Sequence, residues 1–115
     1  METSTTPPYV PQLRLYQDWL RQRHGLEFAS YDALWRWSVT ELDAFWQSVW
    51  DYFAIESPTP HHAVLARNRM PGAEWFPGAQ VNYARQVLRH VPGAHAAGMP
   101  AIVARNERGA ARELS

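Results

Sequence analysis

The side chains that could do chemistry in this chain are few and widely spaced. Its five histidines include one adjacent pair, His61-His62, which would need further converging ligands to hold a metal ion. Adjacent histidines lack the i, i+4 spacing that places two ligands on one helix face. We therefore predict that the pair lies in a solvent-exposed linker, and that His24, His90 and His95 lie at the surface. No metal site is predicted.

Charged side chains and cysteine give no stronger candidates. Asp32 and Arg36, at i and i+4, are typical of a helix ion pair rather than of an acid–base couple. Arg85 and Arg89 share a predicted helix face and could meet a phosphate, but an ordinary solvated face is favoured. The absence of cysteine excludes disulfides, thiolate zinc sites and cysteine nucleophiles. The sequence thus predicts no catalytic, cofactor-binding or metal-binding residue.

Length and charge set the outer limits. A chain of 115 residues is long enough for one domain with a modest core. Its formal charge of zero gives no electrostatic argument for a nucleic-acid or membrane partner. The first residues lack the basic and apolar regions of a secretory signal, and no apolar run approaches the roughly 20 residues of a spanning helix. We predict a cytoplasmic protein.

The segment 70–90, MPGAEWFPGAQVNYARQVLRH, is the most informative part of the chain. Two Pro-Gly steps bracket Trp75 and Phe76, and a helical pattern follows them. This order predicts a loop that buries two rings and then begins a helix. The segment contains no nucleophile, so its residues predict a structural role and indicate no activity.

The rest of the pattern predicts mainly helices. Residues 1–11 form a disordered or extended lead-in, and a helix over 12–24 ends at Gly25. Ser30 caps a short second helix, and Thr40 with Asp43 resembles a capping box that opens a third. The third helix has a complete apolar stripe and stops at the Ser/Pro-rich residues 57–60. The stripe comprises Leu42, Phe45, Trp46, Val49, Trp50 and Phe53.

The second half is predicted to be less regular. Residues 61–70 form an irregular linker in which Ala63-Val64-Leu65 can be extended, and a helix over 81–90 is ended by Val91-Pro92-Gly93. Strands at 101–104 and 110–114 flank a turn at 106–109, which gives a β-hairpin. The helical tryptophans are predicted to lie in the core rather than to form a stacking platform: Trp35, Trp37, Trp46 and Trp50. The predicted fold class is therefore mainly α, a small cap of about four helices followed by a hairpin.

Two motifs in these elements carry a resemblance to a known family. The first is Tyr31-Asp32-Ala33-Leu34-Trp35 with Trp37-Ser38-Val39, Phe45-Trp46 and Val49-Trp50-Asp51; the second is Met70-Pro71-Gly72 with Trp75-Phe76-Pro77-Gly78-Ala79 and Asn82-Tyr83-Ala84. Both resemble the AMP-forming acyl-CoA synthetases of the adenylate-forming superfamily, most closely the acetoacetyl-CoA synthetase branch. The resemblance spans roughly residues 13–115. The chain departs from it at Val81 and at Arg85-Gln86, where the branch has Leu and Glu-Asn.

The resemblance implies a domain organisation and a function. Residues 12–95 would be the helical N-terminal domain, and residues 96–115 the truncated start of the large α/β catalytic domain. The complete enzyme would ligate acetoacetate to CoA through an acyl-adenylate, with ATP, Mg and CoA, in lipid or ketone-body metabolism. Acetate, propionate or another short acid is not excluded as the acyl substrate.

This chain matches none of the family's catalytic motifs, including a phosphate-binding loop that ends in lysine. We therefore expect the chain itself to be inactive and to bind no cofactor. Its expected partner is a missing or separately encoded catalytic domain, and the expected docking surface comprises Trp75, Phe76, Asn82 and Tyr83. Two alternatives stay open at this stage: a small helical interaction module that docks with a separate ligase fragment, and a truncated, pseudogene-like product.

Overall fold

The computed structural model of the chain describes residues 9–115, which are mainly helical with two small antiparallel sheets. This confirms the predicted fold class at that level. The described residues divide into two compact units, one comprising residues up to Ala54 together with His61–Gly78, the other Ile55–Pro60 and Ala79–Ser115. Most of the predicted lead-in, residues 1–8, lies outside the described residues. The predicted boundary between domains near residue 95 stays a prediction.

The first helix, α1, spans Gln12–His24, as the sequence predicts. It ends because Gly25 adopts a left-handed conformation, with φ at 64°, which glycine reaches without the steric cost of a Cβ. The Gly25 N–H donates to the Arg21 carbonyl over 3.0 Å. This bond satisfies one of the carbonyls that a helix end leaves without a partner.

Helices α2, Tyr31–Thr40, and α3, Leu42–Tyr52, meet at Glu41. The Ser30 hydroxyl caps α2 by accepting the Ala33 N–H over 3.1 Å, which confirms the predicted cap. The predicted Thr40 capping box is wrong, because Thr40 is still the last helical residue of α2. Its hydroxyl donates back to the Arg36 carbonyl over 2.7 Å, and α3 begins without a side-chain cap.

The core of the first unit lies where α1, α2 and α3 meet. Leu20, Leu34 and Tyr16 are its buried members. Partly buried side chains pack around them: Trp19, Leu26, Phe28, Trp37, Phe45 and Tyr52. Aromatic contacts dominate this shell, for example between the rings of Tyr16 and Tyr52, whose centroids are 5.3 Å apart with their planes at 69°. Such edge-to-face pairs are the geometry that ring quadrupoles favour.

One polar pair is built into this core. The Ser48 hydroxyl donates to the Phe45 carbonyl over 2.6 Å, so the Tyr16 hydroxyl must donate to Ser48. Burial raises the pKa of the Tyr16 hydroxyl. Ser48 itself is 3% exposed, and the sequence pattern gave no sign of it because serine lies outside the apolar stripe.

The predicted tryptophan core is correct only in part. Trp37 and Trp50 are half-buried, whereas Trp35 is 50% exposed and Trp46 is 38% exposed. For Trp46 the reason is that α3 is apolar on two sides, and Trp46 lies on the side that carries the segment following His61, where it packs on Trp75. Trp35 lies on α2 instead and lines an apolar groove between the three helices.

A short two-stranded sheet interrupts the segment predicted to be an irregular linker. Strand β1, Leu65–Arg67, pairs antiparallel with β2, Glu74–Trp75, with Leu65 opposite Trp75. Across the strands an Arg67 guanidinium nitrogen lies 3.8 Å from a Glu74 carboxylate oxygen. Strands of three and two residues are too short to show an alternating pattern, so the sequence indicated only an extended stretch that ends at Leu65, the first residue of β1.

The second unit contains helices α4, Tyr83–Leu88, and α5, Val91–Ala96, and strands β3, Ile102–Arg105, and β4, Ala111–Leu114. The predicted helix over 81–90 is therefore shorter than expected. Val91-Pro92-Gly93 does not end the helical region but opens α5, because proline in a first turn lacks only an N–H that has no helical partner there. The predicted hairpin is confirmed, with Ile102 opposite Leu114 and Arg105 opposite Ala111.

Candidate docking surface

The aromatic turn, residues 70–78, is held against the chain that leads into β1. The Phe76 N–H donates to the Val64 carbonyl over 2.7 Å, and the His62 N–H donates to the Pro77 carbonyl over 3.2 Å. These two bonds extend the pairing of β1 and β2. They fix the backbone of the turn on both sides of the Trp75-Phe76 pair.

The rings of the turn pack against the outer side of α3. Trp75 meets Trp46 with ring centroids 5.6 Å apart, and Phe76 meets Trp50 at 4.7 Å. His61 completes the cluster, at 4.9 Å from Trp50 and 5.0 Å from Phe76. The i, i+4 spacing of Trp46 and Trp50 thus places two rings on one helix face, each with one ring of the turn on it.

The two rings of the turn differ in exposure. Phe76 is half-buried, whereas Trp75 is 42% exposed although it packs on Trp46. Phe76 also has a φ of 46°, in the left-handed region that residues with a Cβ rarely adopt. Backbone strain of this kind persists where the surroundings determine the conformation. The turn therefore presents Trp75 to solvent from a fixed backbone.

Asn82 and Tyr83 lie in the second unit. The Asn82 side chain accepts the Arg85 N–H over 3.0 Å and so caps α4, a role internal to this unit. Tyr83, the next residue, is 81% exposed. Of the four residues of the expected docking surface, Trp75 and Tyr83 thus have the exposure that a contact with a partner requires, and Asn82 has a local structural role.

The histidine prediction is wrong for His61. This side chain is half-buried against two rings, and its Nε2 lies 2.7 Å from the Gln47 Oε1 atom. His62 is exposed, as predicted. The Asp32–Arg36 pair is confirmed as an exposed helix ion pair with an N–O distance of 3.0 Å.

A groove that sequence reasoning missed lies between α1, α2 and α3. It has a volume of about 320 Å³, and its walls are almost entirely apolar. Lining side chains include Leu13, Tyr31, Trp35, Val49 and Phe53. The polar groups at its edge bond within the protein, since the Tyr52 hydroxyl donates to Gln12 and the Ser38 hydroxyl donates to the Trp35 carbonyl. Its signal in the sequence was the excess of aromatic residues over what three short helices can bury.

Residues 9–115 contain neither a metal-ligand cluster nor a candidate membrane-spanning helix. No group of three or more His, Asp or Glu side chains in this part of the chain is placed to hold a metal ion. Nor does any helix within it combine the length and apolar character needed to cross a bilayer. The described residues instead present exposed apolar side chains on a defined backbone, and surfaces of this kind suit contact with another protein.

The sequence of this chain is similar to part of several known proteins. Residues 31–87, which run from α2 into α4, match the family model described as the acetyl-coenzyme A synthetase N-terminus. The chain is 40% identical over 72 residues to the acetoacetyl-coenzyme A synthetase of Rhizobium meliloti (strain 1021), a match that covers 63% of this chain and 11% of that protein. It is 29% identical over 83 residues to a malonamoyl-CoA synthetase of Penicillium aethiopicum, covering 70% of this chain and 12% of that protein.

A solved structure agrees with the sequence matches. The acetoacetyl-CoA synthetase from Streptomyces lividans superposes with a TM-score of 0.67 at 43% identity, over 77% of this chain and 14% of that chain. The chain thus spans only about a tenth of the length of the curated relatives it matches, 11% in the Rhizobium protein. Both motifs of the sequence analysis lie within or next to the matched residues 31–87. The chain therefore corresponds in sequence and fold to the N-terminal region of acetoacetyl-CoA synthetases.

Proposed function

We propose that this chain serves as the N-terminal portion of a ligase that joins acetoacetate to CoA through an acyl-adenylate. The observation that supports this most directly is the agreement of fold and sequence with the Streptomyces lividans acetoacetyl-CoA synthetase, at a TM-score of 0.67 and 43% identity. ATP, Mg and CoA would be held by the catalytic portion of such an enzyme. The phosphate-binding loop of the resembled family ends in a lysine, and these 115 residues contain no lysine.

The role of the chain itself is then to dock on that catalytic portion. Its exposed aromatic side chains suit this role, above all Trp75 on the fixed aromatic turn and Tyr83 at the start of α4. Tryptophan and tyrosine are the residues that most often dominate the energy of an interface. Acetoacetate is proposed as the acyl substrate from the relatives' names, although one similar protein, 29% identical over 83 residues, is named for a different acyl group, malonamoyl.

Two assays test this function. The purified 115-residue chain should show no acetoacetate-dependent exchange of diphosphate into ATP. A chimera of the Streptomyces lividans enzyme, in which this chain replaces the aligned N-terminal residues, should retain acetoacetate-dependent formation of AMP. Exchange by the isolated chain, or a folded chimera without activity, would contradict the proposal.

The docking surface is tested in the same chimera. Trp75→Ser should lower its activity or its thermal stability, because a hot-spot tryptophan removed from an interface costs about 2 kcal/mol or more. Leu15→Ser is the matched control, since Leu15 is also 42% exposed but lies on α1, away from the aromatic turn. Equal effects of the two substitutions would show that Trp75 makes no special contact.

A further inference from the structure

The adjacent histidines His61 and His62 have opposite surroundings. His62 is exposed, and its backbone N–H, not its side chain, bonds to the aromatic turn. His61 is half-buried, and its ring contacts the rings of Trp50 and Phe76, which also contact each other. Two neighbouring residues of the same type therefore differ in whether the side chain is part of the fold.

The hydrogen bonds around His61 determine where its proton lies. The Gln47 Nε2 atom donates to an Asp51 carboxylate oxygen over 3.0 Å, and an ionised carboxylate can only accept. The Gln47 amide is thereby oriented with its oxygen toward His61, 2.7 Å from Nε2. Because that oxygen can only accept, His61 must carry a proton on Nε2. Asp51, Gln47 and His61 thus form a relay that ends in a defined tautomer.

The ring of His61 lies where Phe76 needs support. It meets Phe76 at 83° and Trp50 at 66°, both edge-to-face. Phe76 is the residue with the strained φ of 46°, and its ring contacts both Trp50 and His61 in a cluster of three rings. Without the His61 ring, the strained backbone of Phe76 would be supported only by the Phe76–Val64 hydrogen bond and by the contact with Trp50.

We propose that His61 is a positioning residue that fixes the aromatic turn on α3, through its Nε2–H bond to Gln47 and its contact with Phe76. Its consequence for docking rests on the proposed function, because the turn carries Trp75. The positioning itself is a property of the chain and can be measured without a partner.

The test is heteronuclear NMR on the full 115-residue chain with His61→Ala, His61→Phe and the matched control His62→Ala. In the unsubstituted chain, His61 should show the signature of a proton on Nε2. His61→Ala should lose the nuclear Overhauser contacts between Phe76 and Trp50 while keeping those between Tyr16 and Tyr52 in the core. His61→Phe, which restores a ring without the donor, should recover part of the Phe76 contacts, and His62→Ala should change none.

Retention of the Phe76–Trp50 contacts in His61→Ala, or a neutral His61 ring protonated on Nδ1, would overturn the proposal. If His61→Ala fails to fold, Gln47→Ala replaces it, and an unchanged His61 tautomer and unchanged Phe76 contacts in that variant would overturn the proposal equally. Activity measurements on the chimera distinguish the positioning role of His61 from the proposed docking role of the turn. If His61→Ala loses the contacts but leaves chimera activity unchanged, docking through the turn is wrong and the positioning stands.

Discussion

At the scale of single residues, the side chains that could do chemistry are used to build the fold. His61, the strongest candidate for a ligand by residue type, is a member of a ring cluster. Tyr16 and Ser48, which carry the buried hydroxyls, bond to each other inside the helical core. A buried polar group without a partner costs about 1–3 kcal/mol, so pairs of this kind specify one arrangement of the helices.

Tyr16 also predicts how stability depends on pH. Because burial raises its pKa in the folded chain, the folded state keeps the proton at pH values where the unfolded state, with a tyrosine pKa of about 10, has lost it. The contribution to stability is complete below pH of about 10 and is lost as pH rises through the folded pKa. Urea unfolding at increasing pH should show this decline, and Tyr16→Phe should flatten it. A decline of equal slope in Tyr16→Phe would assign it to other groups.

At the scale of elements, the two boundaries of α2 give a matched test of capping. Ser30→Ala removes a cap that accepts the Ala33 N–H and should lower the free energy of unfolding by about 0.5–2 kcal/mol. Thr40→Ala removes a hydroxyl that bonds back to the Arg36 carbonyl within the helix, and should change stability by less than about 0.5 kcal/mol. Chemical denaturation of both variants measures the difference. A larger loss of stability for Thr40→Ala than for Ser30→Ala would contradict this and support the capping box that the sequence predicted.

The elements also show what sequence could and could not predict. Helix α1, the Ser30 cap and the β3–β4 hairpin follow from local signals: periodicity, a hydroxyl before a helix, a left-handed glycine. The strands β1 and β2 are too short to show an alternating pattern, and the role of His61 depends on its contacts with α3 and the aromatic turn, which no local pattern contains. The same limit applies to the docking surface, where sequence located Trp75 and Phe76 but not the groove beside α3.

At the scale of the whole molecule, exposed apolar surface and absence of net charge act together. The chain has a formal charge of zero and a pI of about 7.0, so copies do not repel one another at neutral pH. Trp35, 50% exposed in the groove, and Trp75, 42% exposed on the turn, leave apolar surface in contact with water. Surfaces of this kind promote association.

We therefore predict that the isolated chain associates in a concentration-dependent manner near neutral pH. Trp35→Arg should reduce this association sharply in sedimentation velocity experiments, because it removes apolar area from the groove and adds a charge. Gln22→Arg is the control, since it adds the same charge at an exposed position of α1 that does not line the groove. If the two variants sediment alike, net charge governs the association and the groove does not; if Gln22→Arg behaves as the unsubstituted chain, the apolar groove is the cause.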